Sequence, residues 1–486
     1  MPKIVLLWTD VSLWLLVLAL LGYVWMVHRR PHLAATWRKV FSDAPALASS
    51  VVLVACLLLT LLDCVHYRPL LAQAAGSPAG SQAYDTRTSS LLDAALRHLV
   101  DSRETTYSQP LAYLSHTKES VEVDGRIVRT APRLLHGGAH LSDPGRQWLG
   151  DIAGRAALGA LAGAAVTALL GLTLLAVLVR PLPVSPQSLS SMAGRVWRGE
   201  TAIPWRAALW ALLGLLVVAG VVVALMGHYH VFGTDVTGND VLYQTLKSIR
   251  TAFVIGSLAT LATLPLAVTL GVLAGYFKGW IDELIQYLYT VLSSVPNILL
   301  IAACVLMVQV FLDQHADLFE TGLERADLKL FLLCAVLGLT GWAGLCRLLR
   351  AETLKLRELE YVQAAQAFGV SDGRIMRRHI FPNVAHLMLI VTVLEFSSLI
   401  LYEAVLSYVG VGVDPAMNSF GGMINFARNE MGRDPVVWWP FAAAFAFMVT
   451  LVLAANLFAD GVRDAFDPRS RAFRPKVLRA PAAPSA

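Results

Sequence analysis

The chain has 486 residues, of which 56% are hydrophobic and 15% charged, and its mean hydropathy is +0.60. A soluble core of this length needs far less apolar surface, so the composition excludes a soluble globular protein and indicates a polytopic membrane protein. The net charge of +5 is modest, and the basic residues lie in short loops beside apolar segments, which argues against nucleic-acid binding.

Apolar stretches long enough to cross a bilayer predict about nine transmembrane helices and an all-α polytopic integral membrane fold. They cover approximately residues 4–27, 46–65, 152–179, 207–227, 250–276, 285–312, 329–349, 384–410 and 438–460. Because positive residues stay on the cytoplasmic side, the loops predict an extracytoplasmic N-terminus and a cytoplasmic C-terminus. The basic residues used are Arg29, Arg30, Arg38, Lys39, Arg180, Arg195, Arg198, Arg206, Lys278, Arg463, Arg469, Arg471, Arg474 and Lys476.

The first apolar stretch follows Lys3 and is similar to a signal peptide in composition, but it lacks a small-residue cleavage site. We therefore expect it to be retained as a transmembrane helix. Asp10 lies near the outer end of this helix, where we expect its carboxylate to reach water at a solvated terminus.

An extracytoplasmic insert is predicted between residues 67 and 151. It contains one helix-like run, 91–100, and one strand-like run, 120–129, in which Asp124-Gly125 has the composition of a hairpin turn. We expect a small, partly ordered element outside the membrane.

Sites for metals and for catalysis are not favoured by the motifs present. His136 and His140 invite a metal interpretation, but the Gly pair between them disfavours helical presentation, and a turn with exposed imidazoles is the more ordinary interpretation. The phosphate loop of ATPases, the zinc-protease motif and the nucleophile elbow are all missing from the sequence. The cysteines lack paired spacing and are expected to be packing residues: Cys56, Cys64, Cys304, Cys334 and Cys346.

Prolines and glycines mark two features of the later spans. Pro265 and Pro296 are predicted to interrupt the fifth and sixth spans, where they can kink helices that rock during transport or belong to a static bundle. Gly271 and Gly275 indicate close helix packing.

A polar, helix-forming segment, residues 361–383, lies between two long apolar stretches on the predicted cytoplasmic side. Ala364 and Ala365 remove side-chain bulk, so another surface can approach this helix closely. Gly369 permits the backbone angle that ends the helix. The alternative is an ordinary amphipathic helix at the membrane interface.

A second helix is predicted after the glycine. Ser371 is placed to cap it, and Pro382 is expected to break the pattern before the next apolar run. Its positive charge comes from Arg374, Arg377, Arg378 and His379.

Two acidic residues, Glu395 and Glu403, fall inside the eighth span. Because an ionised group in hydrocarbon is costly, they point to the bundle interior or to a wet pathway and are candidates for the translocation route. The alternative is a structural, hydrogen-bonded Glu, and this alternative is favoured for Glu403.

Segment 361–383 resembles the EAA motif of ABC importer permeases, with Gln363, Ala364, Ala365, Gly369 and Pro382 at the family spacing. In that family the segment is the coupling helix that sits in a cleft of the ATP-hydrolysing subunit. We therefore call residues 361–383 the coupling segment. Gln363 departs from the pattern, because the family usually has Glu there, so an ion pair with the ATPase is not implied. Phe381 stands where Leu is usual.

Residues from about 204 to 470 resemble the C-type permease subunit of dipeptide and oligopeptide ABC importers. Ordered matches to that family occur at 232–242, 401–410, 419–424, 438–440 and 460–469. Asn239 replaces the Arg that is usual in the first of these stretches.

This resemblance implies a type I ABC importer permease fold with six core helices, in a bacterial inner membrane. The chain would divide into an N-terminal extension, 1–203, with about three transmembrane helices, a permease domain, 204–470, and a cytoplasmic tail, 471–486. It implies a heterodimer with a B-type permease, two ATP-binding cassette subunits that bind ATP and Mg, and an extracytoplasmic substrate-binding protein. The chain itself would be a permease subunit without a catalytic site or cofactor, in contact with lipid and with peptide substrate.

Three alternatives remain open. The same fold serves import of nickel, opines or antimicrobial peptides. An ion-driven secondary carrier with Glu395 and Glu403 as a proton relay is an alternative of another class. The insert either contacts the binding protein or covers the pore mouth, or it is only a spacer.

Overall fold

The computed structural model describes residues 3–70, 84–85, 87–123, 126–179, 189–315, 317 and 319–467. The tail 471–486, the Asp124-Gly125 turn, part of the insert and the basic residues Arg180, Arg469, Arg471, Arg474 and Lys476 lie outside the described residues. Among the described residues, nine helices are long and apolar enough to cross a membrane, which confirms the predicted number.

The helices and strands, in chain order, are as follows. They are β1 Lys3–Val5, α1 Trp8–Arg29, α2 Pro31–Val40, α3 Ala44–Asp63, β2 His66–Arg68, β3 Ser89–Ser90, α4 Leu91–Ala95, α5 Arg97–Asp101, β4 Glu119–Val123, β5 Arg126–Thr130, α6 Pro144–Val179, α7 Leu189–Arg198, α8 Trp205–Met226, α9 Val241–Phe277, α10 Trp280–Ser294, α11 Asn297–Gln314, α12 Gly322–Arg357, α13 Glu360–Ala367, α14 Asp372–Ile375, α15 Phe381–Val409, α16 Phe420–Glu430 and α17 Trp439–Phe466.

The long helices α9 and α12 form the centre of the fold. A Cβ atom added at Gly271 would lie 2.9 Å from the carbonyl oxygen of Cys346, and one added at Gly275 would lie 2.7 Å from that of Arg350. The missing side chains therefore let the two backbones pack directly together, as the sequence predicted. Helix α15 packs against the same pair and completes the core.

The two proline predictions have different outcomes. The interruption at Pro296 is confirmed, because the sixth predicted span is two helices, α10 and α11, with an extended residue at Val295 and Pro296 at the cap of the second helix. Pro265 does not interrupt the fifth span, since α9 continues through it over 37 residues. Proline removes one backbone donor, and a helix tolerates this loss when its neighbours hold it in place.

The N-terminal helices pack onto this core at its edge. Helix α3 lies against α17, where Gly461 approaches the side chain of Ala46, and it also contacts α9. Helices α6 and α8 form a close pair through Gly159, Gly163 and Gly220. The extension is therefore joined to the core through helix contacts within the apolar region.

The described residues of the insert form strands and short helices. Strands β1, β2 and β3 form a small antiparallel sheet that joins the start of the chain to the end of α3. The predicted helical run 91–100 forms α4 and α5, and the predicted strand run forms the antiparallel hairpin β4–β5. Both local predictions are confirmed by the described residues.

The prediction for Asp10 is wrong. Its side chain is buried, with 2% exposure, and it binds the guanidinium of Arg250 in α9 at 2.5 Å and the imidazole of His66 at 2.7 Å. Asp327 of α12 lies 3.6 Å from Arg250 and accepts hydrogen bonds from the backbone and hydroxyl of Thr9. The carboxylate is not solvated because α9 and β2 supply its partners, Arg250 and His66, which no local pattern in the first span indicates.

Two further ionic contacts join the extension to α9 and to the loop before it. The ammonium of Lys247 lies 3.2 Å from Asp63 and 2.8 Å from Asp93. In the loop, His230 bonds to Asp240 at 2.7 Å and to Glu104 of the insert at 3.4 Å.

Because of His230, we expect the stability of the folded protein to depend on pH. Burial lowers the pKa of its imidazole, but the hydrogen bonds and charges of Asp240 and Glu104 outweigh burial and raise the pKa to about 9. A raised pKa means that the stabilisation is complete below pH 6.5 and is lost as the pH rises through about 9. We expect the thermal unfolding midpoint of the detergent-purified protein to fall over this range, by the equivalent of roughly 2–3 kcal/mol.

The exposed His136 provides the control for this prediction. A His136→Gln variant should keep the pH profile of the wild type, whereas His230→Gln should flatten it. A wild-type midpoint that stays level from pH 6.5 to 9 would contradict the assignment.

Candidate functional site

The coupling segment forms a bent helical element at the inner end of α9 and α12. Helix α13 ends at Ala367, a turn follows at Gly369, and α14 begins at Asp372. A π-helical turn, Met376–Ile380, then joins α14 to the long helix α15. The segment therefore continues directly into a membrane-crossing helix.

Gly369 makes the turn possible. Its φ angle is +73°, a region that side-chain-bearing residues rarely adopt. The amide of Gly369 donates to the carbonyl of Gln366 at 3.0 Å, and the amide of Val370 donates to that of Ala365 at 3.1 Å. These two bonds are the Schellman arrangement that ends a helix at a left-handed residue.

One side of the coupling segment is anchored in the core. Val362, Ile375 and Ile380 are fully buried and belong to the apolar cluster at the inner end of α9, α10 and α12. Ala365 also packs against this cluster, so only Ala364 of the predicted small pair faces outward. The buried side thus fixes the segment to the helices that cross the membrane.

The other side of the segment is exposed. Phe368, at the outermost point of the bend, is 87% exposed, and Tyr361, Gln363 and Ala364 are exposed beside it. The basic residues Arg374, Arg377 and Arg378 are exposed on the following turns. The exposed aromatic rings of Phe368 and Tyr361 beside a small residue give this side of the segment an apolar surface that another protein could cover.

Gln363 does not contribute charge to this surface. Its amide nitrogen donates to the carbonyl of Glu358 at 3.3 Å. Glu358 itself forms an ion pair with Lys278 at 2.8 Å, between the end of α12 and the end of α9. The acidic residue that contacts Gln363 is therefore Glu358, five residues before it.

Two local predictions for the segment are wrong. Ser371 precedes α14, but its side chain makes no capping hydrogen bond. Pro382 does not break the helix, because it lies in the first turn of α15. The π-helical turn before it shifts the backbone pairing, so that Phe381 donates to the carbonyl of Met376. This wider pairing accommodates a residue that has no amide hydrogen.

The two acidic residues of α15 have different surroundings. Glu403 is buried, with 1% exposure, and accepts a hydrogen bond from Ser407 at 2.6 Å, with further bonds from Ser419 and the backbone of Gly421. These contacts fix α15 to α16 and support the structural alternative for Glu403. Glu395, by contrast, is exposed on the helix surface.

A cleft of about 480 Å³ lies at the opposite, outer end of the core. The insert contributes Tyr107 to its wall, and the loop after α15 contributes Asp414, which lies 3.8 Å from Lys329. Asn418, Asn425 and Asn429 line part of the remainder, together with apolar residues such as Met417 and Phe426. The cleft therefore has a mixed lining and carries charges of both signs.

The histidine pair of the insert lies in a loop that other residues hold. Glu104 accepts hydrogen bonds from the amides of Leu135, His136 and Gly137, and His140 bonds to Asp151 at 2.9 Å. The described part of the chain contains no group of three or more potential metal ligands. All five cysteines are within that part and are free thiols.

Sequence reasoning missed two residues of the inner site. Phe368 stands directly before Gly369 and is the residue that the bend exposes most. The position of the glycine is the sequence signal that could have indicated it. Tyr276 is 2% exposed and hydrogen bonds to the segment from α9. Its partners are about 90 residues away along the chain, so no local pattern indicates it.

Comparison with known proteins gives one family match and many relatives. Residues 267–472 match the family model described as the binding-protein-dependent transport system inner membrane component. The oligopeptide transport system permease protein of Mycobacterium tuberculosis is 33% identical over 248 residues, which cover 51% of this chain and 79% of that protein. The glutathione transport system permease protein of Pectobacterium atrosepticum is 32% identical over 241 residues, or 49% and 73% of the two chains.

A dipeptide transport system permease protein of Lactococcus lactis is 30% identical over 243 residues, covering 50% of this chain and 64% of that protein. Among solved structures, an inward-facing methionine ABC transporter has 16% identity and a TM-score of 0.33, with coverage of 47% of this chain and 96% of that one. A TM-score this low says nothing about the arrangement of the helices.

Proposed function

The chain belongs to the family of binding-protein-dependent transport system inner membrane components, and we propose that it forms half of the translocation pathway of an ATP-driven importer of di- or oligopeptides. It is a multi-pass permease subunit. Within it, we assign the pathway to residues 204–470, with 1–203 as an extension and 471–486 as a tail.

The observation that carries this proposal is the two-sided coupling segment. One side is buried against the inner ends of α9 and α12, while Phe368, Gln363 and Ala364 are exposed on the other. A partner that moves the exposed side therefore moves the membrane helices with it. ATP-driven closure of two ATP-binding cassette subunits, which bind ATP and Mg, would supply that movement.

The other partners follow from the same assignment. A B-type permease would complete the pathway as a heterodimer, and a substrate-binding protein would deliver substrate at the outer cleft. The assignment puts the chain in a bacterial inner membrane, with the N-terminus and insert outside and the coupling segment in the cytoplasm. The exposed Arg374, Arg377 and Arg378 of the coupling segment support this orientation, because basic residues are enriched on the cytoplasmic side.

Peptide is the substrate class that the relatives' names favour, since they are oligopeptide, dipeptide and glutathione permeases. The outer cleft suits a zwitterionic chain, because Lys329 and Asp414 give it charges of both signs. Nickel, opines and antimicrobial peptides are the alternative cargoes within this fold.

Glu395 is the acidic residue that we place at the pathway or at the contact with the second permease. An ionised side chain on the surface of a membrane helix is costly in lipid, so protein or water must cover it. In an ion-driven carrier, the alternative of another class, Glu395 would instead relay protons together with Glu403.

Uptake by the reconstituted complex tests the proposal. We expect proteoliposomes that contain both permeases and both ATPases, with binding protein outside, to accumulate a radiolabelled dipeptide or pentapeptide only when ATP is enclosed. An uncoupler should leave this uptake unchanged. Uptake without ATP that an uncoupler abolishes would instead identify a secondary carrier, and transport of labelled nickel without peptide would identify the alternative cargo.

A further inference from the structure

Tyr276 connects the last turn of α9 to both halves of the coupling segment. Its hydroxyl accepts a hydrogen bond from the amide nitrogen of Gln366 at 3.1 Å and donates one to the carboxylate of Asp372 at 2.7 Å. Gln366 lies before the turn at Gly369, and Asp372 lies after it. One hydroxyl therefore joins the two sides of the bend.

Tyr276 is itself held firmly. The guanidinium of Arg357, at the end of α12, donates to the carbonyl of Tyr276 at 2.6 Å and lies 5.8 Å from the centre of its ring. The preceding residue, Gly275, packs against the carbonyl of Arg350. The phenol thus projects from a place where α9 and α12 are in close contact, and both helices fix its position.

The other contacts between the coupling segment and the core are mainly apolar. Val362, Ile375 and Ile380 are buried in the cluster that also contains Tyr276. Apolar packing is not directional, so it permits small rotations and sliding of the segment. Hydrogen bonds, by contrast, are directional. A hydroxyl that donates to one side of the bend and accepts from the other therefore fixes the angle between the two sides.

We propose that Tyr276 is a positioning residue that transmits movement of the coupling segment to α9 and α12. This inference rests on the proposed function, because it assigns a role within ATP-driven coupling. Because Tyr276 is buried, with 2% exposure, we assign it an action through the segment and not a direct contact with the ATPase. Tyr276 holds the bend at a fixed angle. A displacement of the exposed side of the segment therefore also displaces α9 and α12.

Tyr276→Phe tests this role, because it keeps the buried ring and removes both hydrogen bonds. In the reconstituted complex we expect the number of peptides imported per ATP hydrolysed to fall about tenfold. ATP hydrolysis and co-purification of the ATPase subunits should stay within twofold of the wild type. A residue with a merely structural role would lower expression, co-purification and transport together.

Tyr289→Phe is the matched control. Tyr289 lies in the same cluster and is also buried, but its hydroxyl makes no hydrogen bond within the described part of the chain. Its ratio of transport to hydrolysis should equal that of the wild type. Asp372→Asn retains an acceptor for the phenol and should also keep the ratio, whereas Asp372→Ala should lower it.

Two outcomes would overturn the role of Tyr276. One is a wild-type ratio of transport to hydrolysis in Tyr276→Phe. The other is loss of the ATPase subunits from that variant, which would make Tyr276 part of subunit docking. Failure of the proposed function is distinct from both, because the wild-type complex itself would then show no ATP-driven uptake.

Discussion

Replacing Arg250 with methionine is expected to destabilise the protein by about 3–5 kcal/mol, the range found when one partner of a buried ion pair is removed. Arg250 is 3% exposed and faces Asp10 at 2.5 Å and Asp327 at 3.6 Å. Without the guanidinium, two carboxylates from α1 and α12 would remain close together in an apolar environment. The thermal unfolding midpoint of the full chain in detergent measures the loss.

A second variant distinguishes lost charge compensation from lost packing. Arg250→Met combined with Asp10→Asn should recover part of the stability, because one of the two uncompensated carboxylates is removed. Lys355→Met is the control, since Lys355 is exposed and, among the residues that the structure describes, pairs only with Glu352, three residues away. An Arg250→Met protein as stable as this control would contradict the expected role of the ion cluster.

Replacing Gly369 with valine should reduce ATP-driven uptake by tenfold or more while the protein still inserts in the membrane. The φ angle of +73° is strained for any residue with a Cβ atom and most strained for a β-branched one. No atom lies within 4 Å of an added Cβ, so the effect is conformational and not a steric clash. Helix α13 would lose its terminating turn, and Phe368 would leave its exposed position.

Gly373→Val provides the matched control. Gly373 is four residues away, has equally open surroundings, and lies in α14 without a positive φ angle. This variant should keep at least half of the wild-type uptake, measured in the same vesicles with the same amount of inserted protein. Equal uptake by the Gly369→Val and wild-type proteins would count against the coupling role of the segment.

The sequence predicts most of the spans and the turn at Gly369, because both depend on local properties. Runs of apolar residues determine which stretches cross the membrane, and Gly369 marks a turn that needs a left-handed residue. The sequence does not distinguish the break before Pro296 from the continuity of α9 through Pro265. Whether a helix tolerates a proline depends on the neighbouring helices that hold it in place. The same is true of Pro382, which depends on the π-helical turn before it.

Residues that act through distant partners were not predictable in this way. Asp10 lies near the end of a span, where a side chain ordinarily reaches water. Only the tertiary fold brings Arg250 and Asp327 close to it. Tyr276 is one aromatic residue among many in the apolar spans until the structure shows its bonds to Gln366 and Asp372. Tertiary contacts over hundreds of residues leave no periodic signal in one sequence.

The cations of α9 have consequences for protein engineering. Lys247 is neutralised by Asp63 and Asp93, and Arg250 in part by Asp10, all from outside the permease region. A chimera that fuses residues 204–470 to a different N-terminus would leave Lys247 without either of these carboxylates and Arg250 with Asp327 alone. Such a graft must therefore recode positions 247 and 250 to apolar residues, or bring replacement acids with it.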